Sequence, residues 1–259
     1  RRTLIEAVAP VVLTRTVPDE PLTVTLSRHG WIRSRQGHAL DASQFAWKAG
    51  DGPLAILETR TVHPVIVLDS TGRAYTIRAA DIPGGRGDGV PVTTLIELQP
   101  GAKAVQAISG PPGQRYLVAG TGGYGFVASL DDMVSRQRAG RTFMTMEPDE
   151  EPVRPVALAP AADHVAALSS NGKLLVFPLA EMREVPRGRG VIILRLDDKE
   201  SLLAVALTSG ASAGAPRIGF AGIGWRDRLR MWRIGRDRLM QPCGRFGRFR
   251  HVAGLGFRR

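Results

Sequence analysis

The chain has 259 residues, of which 43% are hydrophobic, and its formal net charge at pH 7 is +11. This hydrophobic fraction fits a globular protein, and the absence of any run of eighteen apolar residues excludes an ordinary membrane-spanning helix. The single cysteine, Cys243, excludes an internal disulfide framework and suits a reducing compartment such as the cytoplasm.

The first 20 residues predict a connector rather than a folded unit. They contain Pro10, Pro18 and an apolar stretch over residues 8–13, with room for one strand. The start of the chain has neither an initiator methionine nor the apolar core of a signal peptide. We therefore expect residues 1–20 to be the end of an upstream region in a longer protein.

From residue 21 onwards, one pattern repeats about every fifty residues. A short apolar run meets a glycine turn, and a second apolar run leaves it. This arrangement is typical of a β-hairpin, because glycine reaches a positive φ angle without steric cost. The turn glycines are 42, 51 and 49 positions apart, in the order Gly30, Gly72, Gly123 and Gly172. A period of this length indicates a repeat architecture with the hairpin as its unit.

The repeats predict an all-β, propeller-like fold with four to five blades of four-stranded antiparallel sheet. The first four units cover about residues 21–62, 63–113, 114–162 and 163–205. A lone blade cannot bury both faces of its sheet, so neighbouring blades must stack and share a core. We expect that core to include Val24, Leu26, Val65, Val67, Leu117, Val165 and Leu168. Burying each of these side chains is worth about 1.5–3 kcal/mol.

A second, basic element follows each of the later hairpins and keeps the same period. An acidic-apolar turn leads into a glycine-containing loop that is rich in arginine, and the turn residues Ile82, Met133 and Met182 are 51 and 49 positions apart. Equivalent loops of a ring lie on one rim, and arginine binds phosphate in a bidentate manner. The DNA-binding residues predicted from these loops and from the first unit are Arg33, Arg35, Lys48, Arg86, Arg136, Arg138, Arg141, Arg187 and Arg189. Phosphate contacts carry no base code, so we expect little sequence preference.

The C-terminal part of the chain, residues 206–259, permits more than one interpretation. Residues 217–259 hold 12 arginines against two aspartates, whereas the other 216 residues hold 23 basic and 22 acidic groups. Residues 217–225 have the character of a fifth hairpin, and residues 244–250 have that of its basic loop. The alternatives are a flexible basic tail or sequence translated out of frame, because the repeat spacing decays here.

The residue patterns predict no catalytic or metal site. The five histidines lack metal-ligand spacing, and one cysteine cannot build a thiolate site. Residues 120–125 match the spacing of a dinucleotide-binding glycine motif, but a strand follows them where that motif requires a helix. We therefore interpret this glycine-rich stretch as a tight hairpin.

Several phrases of the sequence resemble one known family. Residues 20–34, together with Gln36-Gly-His38, resemble the first blade of the C-terminal domain of the A-type subunit of bacterial DNA topoisomerase IV, in the gyrase A C-terminal domain-like family. Residues 67–73, 123–126 and 136–140 carry further phrases of the same family in the same order. The resemblance implies a β-pinwheel, in which neighbouring blades exchange strands, and DNA that bends around a basic outer rim.

The same resemblance sets the expected function. It implies a domain without its own catalytic site that presents double-stranded DNA to an ATP-dependent type IIA topoisomerase for decatenation and relaxation. The cleavage tyrosine of such enzymes stands beside an arginine, but Arg115-Tyr116 lies at a strand start and is expected to be structural. The expected partners are the B-type subunit, the rest of the A-type subunit, and the bacterial nucleoid in the cytoplasm, with no membrane. ATP and Mg²⁺ would serve the holoenzyme, and no cofactor is expected in this chain.

Two alternatives remain open. The first is a gyrase A domain that wraps DNA, but the seven-residue basic box of gyrase has no complete copy here, with at best remnants at residues 35–37 and 84–89. The second is a protein-interaction propeller without a DNA role. In that case Trp31, Phe45 and Trp47 would form an exposed hot spot.

Overall fold

The computed structural model describes residues 18–40, 45–84 and 87–209, and this part of the chain is nearly all β-structure. One helical turn, α1 (Leu130–Met133), and 3-10 turns at Ala79–Asp81, Val92–Thr94 and Leu179–Glu181 interrupt it. The strands of the first two units are β1 (Pro21–Ser27), β2 (Trp31–Gln36), β3 (Pro53–Arg60), β4 (Pro64–Asp69), β5 (Arg73–Arg78), β6 (Val90–Pro91) and β7 (Ala104–Ser109). Those of the next two are β8 (Arg115–Ala119), β9 (Tyr124–Ser129), β10 (Arg141–Thr142), β11 (Val156–Ala157), β12 (His164–Ser169), β13 (Leu174–Pro178), β14 (Val191–Ile192) and β15 (Leu202–Thr208).

The predicted glycine turns are hairpin turns in the structure. They join β1 to β2, β4 to β5, β8 to β9 and β12 to β13, and each hairpin is an antiparallel pair. The turn glycines have φ angles between +79° and +84°, in the left-handed region that other residues avoid. The repeat period therefore located all four hairpins.

Neighbouring units exchange strands. The sheets have the orders β3-β1-β2-β6, β10-β5-β4-β7, β11-β8-β9-β14 and β13-β12-β15. Strand β6 comes from the second unit but pairs with β2 of the first, and β10 and β14 pair in the same way with β5 and β9 of the preceding units. This exchange confirms the expected β-pinwheel.

A glycine precedes each donated strand at a close approach of two backbones. Gly89, Gly140 and Gly190 have φ angles of +88°, +59° and +79°. A Cβ atom at Gly190 would lie 2.2 Å from the carbonyl oxygen of Gly125, and one at Gly89 would lie 2.2 Å from that of Ile32. Only glycine fits where the donated segment crosses the receiving hairpin, and we call these three residues the donor glycines.

The core lies between blades, as the stacking argument predicts. Three clusters of buried side chains fill the contacts between the first and second, second and third, and third and fourth blades. The seven core residues predicted from the sequence are all buried, with at most 4% of their surface exposed. Stability therefore depends on contacts between units.

The blades are arranged around a central opening. A cavity of about 640 Å³ is lined by residues of all four blades, from β3, β7 and β15 and from the segment before β11. In each sheet the strand on the cavity side (β3, β7, β11 or β15) stands at one end of the strand order. The strand at the other end therefore lies farthest from the cavity. The donated strands β6, β10 and β14 thus form the outer edge. The predicted domain boundaries are only partly described, because residues 1–17 and 210–259 lie outside the described residues. Strand β15 continues to Thr208, past the predicted end of the fourth unit at about residue 205.

Candidate nucleic-acid interface

Three loops cross the outer edge on their way to the donated strands. We call residues 83–84 with 87–89, 134–140 and 183–190 the outer-rim loops. Each begins after a buried turn residue (Ile82, Met133 or Met182) that packs in the interblade core. Main-chain bonds then fasten the loop to the preceding blade, as in the 3.0 Å bond from Ser34 N–H to the carbonyl of Pro83. The matching spacing of the buried turn residues is what aligns the loops along one edge.

Two predicted arginines present free guanidinium groups on this edge. Arg136 and Arg187 are exposed, and neither forms a hydrogen bond or ion pair with any described residue. Arg183, which is not among the DNA-binding residues predicted from the sequence, is also exposed and makes no side-chain bond within the described part of the chain. Arg183 directly follows the buried turn residue Met182, and this position is the sequence feature that could have identified it as a rim residue. Arg86 lies outside the described residues.

Two further predicted arginines, Arg138 and Arg141, differ from the exposed pair: the side chain of Arg138 binds the protein itself, and that of Arg141 is half-buried. Arg138 donates from Nε to the carbonyl of Leu95 over 3.2 Å and from its terminal nitrogen to that of Thr94. It ties the third unit's loop to the second unit's 3-10 turn. Arg141 is half-buried in β10, and its Nε has no hydrogen-bond partner among the described residues.

Arg189 lies among acidic groups. Its guanidinium forms ion pairs with Glu147 and, over 3.1 Å, with Glu150. It also lies 4.2 Å from the centre of the Tyr124 ring. The hydrogen bond to Glu147, assisted by the neighbouring carboxylates, raises the pKa of Arg189 above its ordinary value. Its positive charge is thereby offset locally, and less of it is available to a phosphate.

The structure places Arg33 in the interior of the first blade. Only 3% of its surface is exposed. Its guanidinium donates to Thr25 Oγ1, to the carbonyl of Gly87 over 2.8 Å and to that of Ala46 over 2.5 Å. Burial, followed by the charge of Arg35, lowers the pKa of Arg33 from its ordinary value. Arg33 is therefore not a rim residue, because the loop over residues 45–48 folds across it.

The other first-blade cations rest on aromatic rings. Arg35 is half-buried, with its guanidinium carbon 4.8 Å from the centre of the Phe45 ring. The exposed Lys48 holds Nζ 3.2 Å from the centre of the Trp31 ring. Phe45 is 3% exposed, and Trp31 and Trp47 are half-buried. The three aromatic residues hold cations instead of forming the exposed hot spot that the protein-interaction alternative requires.

The tyrosines occupy structural positions. Tyr116 donates its hydroxyl to the carbonyl of Ser109 over 2.8 Å, and burial raises its pKa to about 12. Tyr75 is buried and donates to Asp69 over 2.8 Å. Among the described residues, no group of three or more His, Cys, Asp or Glu side chains could hold a metal ion. No helix in the same part of the chain is long and apolar enough to cross a membrane.

Comparisons with known proteins give a consistent result. The family model "DNA gyrase C-terminal domain, beta-propeller" matches residues 163–209, which form the fourth unit. The A-type subunit of DNA topoisomerase 4 from Neisseria gonorrhoeae is 43% identical over 98% of this chain and 33% of its own length. The protein of the same name from Escherichia coli K12 is 36% identical over 71% of this chain and 25% of its own length. The chain therefore spans a quarter to a third of the length of these curated relatives.

Solved structures show the same fold. The structure of the E. coli ParC C-terminal domain superposes with a TM-score of 0.68 at 33% identity, covering 73% of this chain and 80% of that domain. A crystal structure of the C-terminal domain of DNA topoisomerase IV gives a TM-score of 0.63 at 19% identity, covering 79% of this chain and 69% of that one. The second likeness supports the fold alone.

Proposed function

The chain belongs to the family of C-terminal domains of topoisomerase IV A-type subunits, and from that premise we propose that its outer rim binds and bends double-stranded DNA. The observation that carries this proposal is the position of Arg136, Arg183 and Arg187. These exposed guanidinium groups lie in the outer-rim loops of consecutive units, where they have no described protein partner. A duplex following the outer edge would meet them in turn.

The chemistry of these contacts favours binding without strong sequence preference. Guanidinium groups on loops bind phosphate oxygens, which every DNA sequence presents in the same way. Each phosphate that is neutralised releases counterions, so the logarithm of affinity falls by about 0.9 per contact for each logarithmic unit of salt. Binding of this kind fixes the path of the DNA and leaves its bases unread.

The partial engagement of the rim favours modest bending over full wrapping. Arg138 is committed to main-chain carbonyls, and the charge of Arg189 is offset by Glu147 and Glu150. Bending a short site smoothly costs on the order of 1–6 kcal/mol, and a few free cations can offset the lower part of that range. The weaker rim, together with the incomplete gyrase box, favours topoisomerase IV-like presentation over gyrase-like wrapping.

In the whole enzyme this domain would hold a DNA segment near a distant cleavage gate. The presented segment would serve decatenation and relaxation by a type IIA topoisomerase in the bacterial cytoplasm, at the nucleoid. The rest of the A-type subunit, together with the B-type subunit, would supply the cleavage chemistry and the use of ATP and Mg²⁺. The residues of this chain would raise the local concentration of DNA and set its path.

A salt titration with rim variants tests the proposal. The full chain is titrated with a short labelled duplex by fluorescence anisotropy at several salt concentrations, as wild type and as Arg136→Gln/Arg187→Gln. We expect salt-dependent binding that the rim variant weakens. An affinity that stays flat from low to moderate salt, or a rim variant that binds like wild type, would overturn the proposal.

A further inference from the structure

Both ends of the outer-rim loop at residues 134–140 are fastened to strand β5. The incoming end is held where the Ser135 N–H donates a hydrogen bond to Thr76 Oγ1 over 2.8 Å. The outgoing end is held by Arg73, which directly follows the turn glycine of the second hairpin. One strand of the second blade therefore sets the course of the main chain along this part of the rim.

The guanidinium of Arg73 binds the main chain of the loop. One terminal nitrogen donates to the carbonyl of Ala139 over 2.9 Å and to that of Gly140 over 3.1 Å. The other donates to Thr142 Oγ1 over 3.2 Å, just beyond the loop. Arg73 is half-buried. Because a guanidinium is planar and carries its donors in a fixed fork, it holds several oxygens in one relative orientation, which a lysine ammonium does not.

Arg136 is the cation that these anchors leave available. Its neighbour Arg138 binds the carbonyls of Thr94 and Leu95, and the Glu97 N–H donates to the carbonyl of Arg138 over 2.9 Å. Arg136 is exposed and forms no hydrogen bond or ion pair with any described residue. The loop is thus fixed at both ends and in the middle, and one guanidinium remains free on it.

We propose that Arg73 is a positioning residue for DNA binding. It holds the main chain at Ala139 and Gly140 so that Arg136 meets a phosphate, and it acts through Arg136 without touching the DNA. This inference rests on the function proposed for the rim. A loop that is already fixed in its binding conformation loses less freedom when the duplex arrives, and the smaller ordering cost appears as affinity.

The loop that carries Arg187 provides a contrast. Main-chain bonds fasten residues 183–190 to the third blade, as in the 3.0 Å bond from the Val185 N–H to the carbonyl of Val127. Bonds of this kind do not depend on any one side chain. Loss of Arg73 should therefore leave Arg187 where it is.

The buried arginine of the first blade differs in its consequence. Arg33 also binds a carbonyl of an outer-rim loop, that of Gly87 over 2.8 Å. The described residues of that loop, 83–84 and 87–89, include no arginine or lysine. Arg33 therefore has no described cation to position.

A double-mutant cycle on the full chain tests the proposal. Arg73→Met and Arg136→Gln are made singly and together, and affinity for a short labelled duplex is measured by fluorescence anisotropy at one low salt concentration. We expect Arg73→Met to weaken binding by about three- to tenfold, because the loop must then be ordered as the DNA binds. In the Arg136→Gln background the same change should weaken binding by less than about twofold, since residues that act through one another are not additive.

Arg187→Gln provides the matched background. It removes the same charge from a different outer-rim loop, so Arg73→Met should keep its full effect on affinity there. The free energy of unfolding, measured by urea titration, should fall by the same amount when Arg73→Met is added to any of the three backgrounds. Coupling to Arg136 in affinity without coupling in stability is a result that a purely structural role of Arg73 does not produce.

Amide hydrogen exchange of the folded proteins gives an independent measurement. In Arg73→Met the amides of residues 134–140 should exchange faster than in wild type, whereas those of residues 183–190 should be unchanged. An affinity that falls while exchange in residues 134–140 stays the same would make Arg73 a direct DNA contact and would contradict a positioning role.

The outcomes separate this inference from the function on which it rests. No loss of affinity in Arg73→Met, or equal losses in the wild-type and Arg136→Gln backgrounds, overturns the positioning role and leaves the DNA-binding rim intact. If Arg136→Gln itself binds DNA like wild type, the function proposed for this part of the rim fails, and the role of Arg73 fails with it.

Discussion

The buried guanidinium of Arg33 donates a hydrogen bond to the carbonyl oxygen of Gly87 over 2.8 Å. Gly87 belongs to the second unit and lies just before strand β6, whereas Arg33 lies in β2 of the first blade. The bond therefore fastens the donated strand to the blade that receives it. An arginine that the sequence pattern assigned to DNA instead joins two units of the fold.

The first prediction concerns the stability supplied by this arginine. Arg33→Met leaves the carbonyls of Gly87 and Ala46 without their charged donor, and hydrogen bonds to charged groups are worth about 1.5–3 kcal/mol. We expect the free energy of unfolding to fall by about 3 kcal/mol in a urea titration. Arg35→Met is the control. Its side chain is half-buried on Phe45, and it should cost less than about 1 kcal/mol.

DNA affinity separates this structural role from a rim role. Arg33→Met should bind DNA like wild type under conditions where both are folded, since its guanidinium is inaccessible. If Arg33→Met lost DNA affinity without losing free energy of unfolding, Arg33 would be a DNA-contacting residue after all.

The residue patterns predicted the hairpins and the core, whereas the strand exchange was expected only from the family resemblance. Turn glycines and alternating apolar residues are local signals, and they identified Gly30 and Val65 correctly. Strand β10, by contrast, has two residues, Arg141 and Thr142, with no alternation to detect, and its pairing with β5 depends on contacts between units. A strand of two residues can be identified only from the strand with which it pairs, and the sequence alone does not show that pairing.

The rim shows a similar limit at the level of single side chains. Arg33 and Arg136 are both arginines near glycines, but one is buried and the other exposed. The difference comes from whether another loop folds across the guanidinium, which is a property of tertiary structure. The sequence therefore located the basic loops and could not sort their members into structural and free cations.

The second prediction concerns the free rim cations. Replacing Arg136 or Arg187 with glutamine removes one exposed guanidinium that has no described protein partner. We expect each substitution to lower the slope of log affinity against log salt by about 0.9 and to leave the unfolding temperature unchanged. Arg154→Gln is the matched control, because Arg154 is an exposed arginine at the central opening. Equal losses in the control and the rim variants would indicate a nonspecific effect of net charge.

The third prediction concerns the carboxylates around Arg189. Glu147 and Glu150 form ion pairs with its guanidinium and offset its charge. Glu147→Gln/Glu150→Gln should therefore raise DNA affinity several-fold at low salt and steepen the salt dependence. Glu181→Gln/Glu184→Gln removes the same charge from exposed residues near the same loop and controls for net charge. A gain limited to the first double variant would show that Arg189 had been released; no gain would mean that Arg189 does not reach the DNA.

The fourth prediction concerns the donor glycines. A Cβ atom at Gly190 would lie 2.2 Å from the carbonyl oxygen of Gly125, and its φ angle of +79° is itself unfavourable for alanine. Gly190→Ala should reduce the free energy of unfolding by about 3 kcal/mol, as measured by chemical denaturation. Gly87→Ala is the control, since a Cβ atom there meets no atom within 4 Å. Similar costs at both positions would refute the explanation by close backbone approach.

The fifth prediction concerns acid stability in the fourth blade. Burial alone would raise the pKa of the Glu200 carboxyl, but hydrogen bonds from the Asp197 N–H, Lys173 and Ser169 outweigh it and hold this pKa below its ordinary value. A carboxyl with a lowered pKa stabilises the fold above its unfolded pKa, and this contribution is lost as the pH falls through the folded value. We therefore expect stability to decline as the pH falls below about 4.3, the ordinary value for glutamate.

Glu200→Gln shows whether this carboxyl causes the decline. The variant cannot ionise at this position, so its unfolding temperature should be lower than that of wild type at neutral pH and should approach it as the medium becomes acidic. Glu184→Gln is the control, because Glu184 is exposed and pairs with Arg115 across 3.4 Å at the surface. Parallel pH profiles for wild type and Glu200→Gln would place the acid sensitivity elsewhere. If the two profiles converge at acidic pH, the acid sensitivity lies at the β12–β13 turn, since Glu200 binds both Ser169 and Lys173 there.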